Sequence, residues 1–152
     1  GVILGTETLG ASGYIQIRST PVASASATIS SNTLVVPATY GWKVGDMIYV
    51  TASTVTGLTA GSYYYLLTVS TTSLTFSATR GGSTLVISGT GVTATVCKIL
   101  WRQKLATTAL PVNDLTFANP VSGGINLAIE VCTPSALTSG TVDFTVLGYV
   151  AP

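Results

Sequence analysis

The chain is heavily punctuated. Clusters of Gly, Pro, Asn and Ser recur about every eight to twelve residues, and the stretches between them are rich in Val, Ile, Thr and Tyr. Side chains branched at Cβ, and aromatic ones, suit a pleated surface and lose rotamer freedom on a helix. The spacing therefore predicts an all-β fold, an antiparallel sandwich or small barrel with an extended N-terminal arm. Helical signals are almost absent. The best stretch, Trp101–Leu110, is expected to cover one turn or two.

Residues 1–25 are small and polar apart from Val2, Ile3, Leu4, Leu9 and the alternating piece Tyr14-Ile15-Gln16-Ile17-Arg18, with Pro21 as a stop. They read as an arm or edge strand, expected to order on a neighbour rather than in the core, since termini of this composition need tying down. The β domain is then 26–152, with 100–152 supplying C-terminal strands that complete 26–99. Ala27–Ser30 and Thr33–Val36 read as a hairpin around Ser31-Asn32. Strands are expected over Met47–Thr51, Ser62–Ser70, Leu74–Ala78, Leu85–Ser88 and Thr93–Trp101, with Gly89-Thr90-Gly91 a turn. Three more are expected over Leu115–Ala118, Ile125–Cys132 and Gly140–Val150, separated by Pro120 and Pro134. Alternation along Tyr63-Tyr64-Tyr65-Leu66 places Tyr64 and Leu66 on one face, and the apolar pair Ile48 and Val50 makes that face the inward one.

Charge is scarce. Six Lys/Arg, five Asp/Glu and no His stand against 16 Ser and 26 Thr in 152 residues. A folded chain of 15.5 kDa exposes on the order of 7,200 Å². Eleven charges cannot cover it, so hydroxyls, Gly and apolar atoms must. That surface suits a chain lying between other proteins. A net charge of +1, with one loose cation cluster at 98–104, is no footprint for nucleic acid, which needs several converging cations. No apolar run reaches the length of a membrane span, and the start lacks the features of a signal peptide. Gly1 suggests loss of an initiator Met, hence synthesis in the cytoplasm.

The inventory argues against catalysis and cofactors. Without His there is no Ser-His-Asp or Cys-His arrangement. Glu7, Asp46, Asp114, Glu130 and Asp143 are scattered singly, so no carboxylate pair or calcium cluster is legible. Asp46 is expected to bond its own turn. Glu130 and Asp143 interrupt apolar strands, where alternation points them outward; an inward pair of either with Lys98 or Arg102 stays open. Cys97 and Cys132 each lie in an apolar run and read as buried thiols, a disulfide between them being the other arrangement. Two cysteines alone do not make a metal site. The expected contact residues are Val2, Ile3, Leu4, Tyr14, Ile15, Ile17, Trp42 and Trp101, because aromatic and apolar side chains lead at interfaces.

Three segments in 33–91 carry a pattern. Lys43-Val44-Gly45-Asp46 makes a tight turn into Met47-Ile48-Tyr49, and Gly57-Leu58-Thr59-Ala60-Gly61-Ser62-Tyr63-Tyr64-Tyr65-Leu66 follows. Val69-Ser70-Thr71-Thr72-Ser73-Leu74-Thr75-Phe76-Ser77 then closes a hairpin. This region, about two-fifths of the chain, resembles a β module recurrent in the virion structural proteins of tailed bacteriophages. The module occurs in tail-fibre, tail and capsid-associated chains, so the resemblance implies a non-enzymatic virion component rather than one position in the particle. At this size a capsid decoration (cement) protein is expected, a homotrimer bound to the major capsid protein, with no nucleic-acid or membrane partner. The alternative is a tail or tail-fibre-associated module that binds a host carbohydrate through Trp42, Tyr63, Tyr64, Tyr65 or Trp101.

Overall fold

The computed structural model describes residues 14–26, 28–104 and 127–132. The expected strands at 115–118 and 140–150, and the arm residues Val2, Ile3 and Leu4, lie outside the described residues. The chain divides into two compact units. Arg18–Leu100 and Ser122–Glu130 form the main one, and Gly1–Ile17, Trp101–Val121 and Val131–Pro152 the other. Every described element is a strand: β1 (Tyr14–Ser19), β2 (Val22–Ala23), β3 (Thr28–Ile29), β4 (Leu34–Val35), β5 (Met47–Ser53), β6 (Tyr63–Val69), β7 (Ser73–Ser77), β8 (Gly89–Thr90), β9 (Ala94–Lys104) and β10 (Ile129–Cys132). The fold is all-β and its registered pairings are antiparallel.

The large sheet runs β10-β1-β9-β5-β6-β7-β4, with β2 also on β9, and β3 pairs β8 apart from it. Within the main unit the hydrogen bonds come full circle. β2 pairs Val22 with Val96 and Ala23 with Thr95. The next two residues then split their donors: Ser24 N bonds Ala94 O on β9 at 2.8 Å, and Ala25 N bonds Val35 O on β4 at 2.7 Å. Residues 22–25 therefore bridge the two ends of the β9-β5-β6-β7-β4 path and close a small barrel. Bulges between Val50 and Ala52 on β5 and between Leu66 and Thr68 on β6 add the bending that closure requires.

Alternation fills the interior. Ile48 sits opposite Tyr64, and both are buried with Val50, Leu66, Leu74, Phe76, Leu34 and Val96 in one cluster. Tyr64 meets Phe76 edge-on at 6.4 Å, and its hydroxyl accepts a bond from Thr59 N. The inward assignment of Tyr64 and Leu66 holds. On the outward face Tyr49, Cys97 and Ile99 form a second buried cluster with Met47 and Tyr63 against it, and the Tyr49 and Tyr63 rings lie 4.9 Å apart.

Five readings are corrected. The arm does not extend to residue 25: β1 and β2 lie in the large sheet, Ile15, Ile17 and Val22 are buried, and residues 18–25 belong to the main unit. Small residues suffice there because β9 offers an edge that needs backbone partners more than volume. Leu85–Ser88 is not a strand. Its donors go singly to Phe76 O, Asn32 Oδ1 and Thr56 O, which forms no ladder, and Gly89–Thr90, expected to turn, makes β8 instead. Trp101–Lys104 is the end of β9, not a helical turn. The Ser31-Asn32 turn forms, with φ of 51° and 58° at its centre and Thr33 N bonding Ser30 O. Beyond the single Ser30–Thr33 bridge, however, its arms part to pair β8 and β7.

Candidate functional site

Four charged side chains of the main unit, Arg18, Asp46, Lys98 and Glu130, are tied into ion pairs. Asp46 closes the turn before β5: its N–H bonds Lys43 O at 3.0 Å and its Oδ2 accepts from Lys43 N at 2.8 Å. Gly45, at φ +87°, supplies the left-handed residue that this turn requires. The same Oδ2 lies 2.8 Å from Lys98 Nζ. Lys98 is in register with Ile48, so it leaves the core-facing side of β9 and reaches Asp46 at the start of β5. Asp46 thus fulfils the turn role expected of it and adds an ion pair across the barrel end.

Glu130 pairs with Arg18. Its Oε2 lies 3.2 Å from Arg18 Nε, while Thr20 N and Oγ1 both bond Ala128 O nearby. The two carboxylates in the described residues each hold two segments together. No group of three His, Cys, Asp or Glu side chains capable of holding a metal ion occurs among the described residues. Asp114 and Asp143 lie outside them.

The expected contact residues separate. Ile15, Ile17 and Trp42 are buried within the chain, which withdraws them as contacts with another molecule. Trp42 is 3% exposed because the turn closed by Trp42 N on Thr39 O folds it under Tyr40, 6.0 Å away between ring centroids. Trp101 is half-buried. Tyr14 opens β1. Tyr64, considered for sugar stacking, is a core residue, and Tyr63 packs on Tyr49. Tyr65 remains half-exposed on the outer face of β6. Both cysteines are free; Cys97 is buried and donates to Tyr49 O, and Cys132 accepts from Gln16 Nε2 at 3.5 Å.

Sequence reasoning missed the surface formed where two turns meet. The Arg80 guanidinium lies across the Lys43–Asp46 turn, 3.5–3.6 Å from where a Cβ on Gly45 would stand. Lys43, Val44 and Arg80 are all exposed, Val44 at 64%. Val44 before a Gly-Asp turn was the available signal, since apolar residues at turn tips leave the core pattern. No helix among the described residues is long and apolar enough to cross a membrane. In comparisons with protein-family models, curated proteins and solved structures, nothing matches the chain.

Proposed function

We propose that the chain is a non-enzymatic structural protein of a tailed-phage virion, a decoration protein that stabilises the capsid shell through protein contacts as a homotrimer. The observation that carries this reading is the use of charge. Asp46 and Glu130 are tied into ion pairs with Lys98 and Arg18 that join separate segments, on a chain whose surface must be covered by Ser, Thr and Gly. The virion-type motifs of 33–91 support it too: they occupy one continuous stretch of the barrel, from β4 through β7. The inward Trp42 and Tyr64 weigh against the carbohydrate reading, because a stacking platform needs exposed ring faces.

Copy number in purified particles tests the assignment. A stained gel should show the chain at on the order of hundreds of copies, matching a closed symmetric shell. A handful of copies would move it to the tail tip, and absence from particles would end the virion reading.

A further inference from the structure

The tip where the two turns meet is built to touch something. Lys43 and Arg80 are exposed cations on a chain with only six, and neither belongs to the Arg18–Glu130 or Lys98–Asp46 ion pairs. The nearest described carboxylate, Asp46, already serves Lys98 Nζ and Lys43 N. The local charge is therefore about +2 with nothing inside the turn to balance it. Val44, next to Lys43 in the turn, is 64% exposed, and the half-exposed Tyr65 is in register with Met47, the first residue after the turn, and with Ser77, three residues before Arg80. The turn itself is rigid. Gly45 N bonds Leu66 O and Leu66 N bonds Asp46 O, which fixes it to the barrel wall.

Arg and Tyr lead in protein-contact hot spots, and the exposed Val44 adds apolar area to the same tip. Resting on the virion reading, we infer that Lys43, Val44, Arg80 and Tyr65 form a docking tip for a carboxylate-bearing face of a partner protein. Two cations are too few for phosphate-backbone binding, which draws on many contacts, and an exposed Val44 gains nothing from a phosphate. Against a protein face, Val44 is desolvated at the centre while the two cations meet Asp or Glu side chains around it. Such rim charges steer association and make it salt-dependent.

The test uses the full chain, virus particles stripped of it and emptied of nucleic acid, and short duplex DNA as the phosphate arm. Lys43→Gln/Arg80→Gln removes the tip charge at exposed positions, and Thr71→Glu/Ser30→Glu makes the same net change elsewhere; thermal unfolding of each verifies folding. The tip variant should bind particles about tenfold more weakly than the wild type and lose most of its salt dependence. The control should bind like the wild type. Equal weakening by the control would reduce the effect to net charge and overturn the tip. Unchanged binding by the tip variant overturns it and leaves the virion reading standing, whereas a wild type that ignores particles removes both. Binding to DNA that is lost with the tip charges would assign the site to phosphate and overturn the carboxylate partner.

Discussion

The β5–β6 ladder and the seam where β9 meets β1 and β2 both join strands of the large sheet, yet they are held by different chemistry. From Met47 to Tyr49 against Tyr63 to Tyr65, the backbone pairs regularly and the side chains sort themselves: Ile48 and Tyr64 inward, Tyr49 and Tyr63 outward in ring contact. At the seam the ladder breaks at Thr20-Pro21, where Pro brings no N–H. Hydroxyls fill in. Ser19 Oγ accepts from Lys98 N at 3.0 Å, and Ser24 Oγ accepts from Ala94 N at 3.2 Å. Two donors of β9 are met by serine side chains on either side of the β2 pairing. The high Ser content thus serves the interior as well as the surface.

The seam can be broken outright. Removing residues 1–25 deletes β1, β2 and the Ala25 N–Val35 O closure. The loss is expected to match the whole stability of a domain this size, about 5–15 kcal/mol, so the truncated chain should show no cooperative thermal transition. A truncated protein that melts like the full chain would restore the arm as a free attachment segment.

The ladder is tested at one residue. Tyr64→Ala should cost about 3–5 kcal/mol in denaturant unfolding, from lost burial and the cavity left against Phe76. Tyr65→Ala, on the outer face, should cost about 1 kcal/mol or less. Comparable losses at both positions would mean that the two faces of β6 are not distinguished by burial.

These two regions also mark how far the sequence could be read. Alternation made the core face of β5 and β6 legible, and the turn residues placed the Lys43–Asp46 turn and the Ser70–Ser73 hairpin, because both signals are local. Leu85–Ser88 has the same β-rich composition, yet its donors find three separate acceptors, one of them the Asn32 side chain 55 positions away. Nothing local encodes that. The partners of Asp46 and Glu130 were hidden for the same reason: Lys98 and Arg18 are brought to them by strand order. Residues 14–25 read as an arm because small and polar residues surround Ile15, Ile17 and Val22, and the strand order that buries those three is not a local signal. The tip was missed, although Lys43 and Val44 stood in a turn that the sequence did place. Its other half, Arg80, arrives from a distant turn.

The serine bonds separate the seam from the ladder more finely. Ser19 is fully buried, so Ser19→Ala should leave Lys98 N without a partner and cost about 1–3 kcal/mol. Ser24→Ala, at a half-buried site, should fall at the low end of that range. Hydrogen exchange supplies a local readout: the amides of Lys98 and Ala94 should lose protection in the respective variants while those of Ile48 and Tyr64 keep theirs. Uniform loss across β9 would instead point to global destabilisation and remove the hydroxyl account of the seam.

The smallest expected effect comes from the same device placed in solvent. At the β6 bulge, Thr75 Oγ1 accepts from Thr68 N at 3.1 Å and lies 2.7 Å from Thr68 Oγ1, which copies the serine bonds of the seam on an exposed part of the wall. Thr75→Val keeps the branched shape and removes only the hydroxyl. Thr68 is exposed, so water can take over its N–H, and most of the desolvation penalty that makes the Ser19 bond matter is absent. Val also packs on a strand as well as Thr does. The change should therefore stay within about 0.5 kcal/mol in urea unfolding. A loss as large as that of Ser19→Ala would show that the bulge hydroxyl sets strand geometry in its own right. Burial would then no longer explain why one serine bond holds the seam while a threonine bond of similar length leaves stability nearly unchanged.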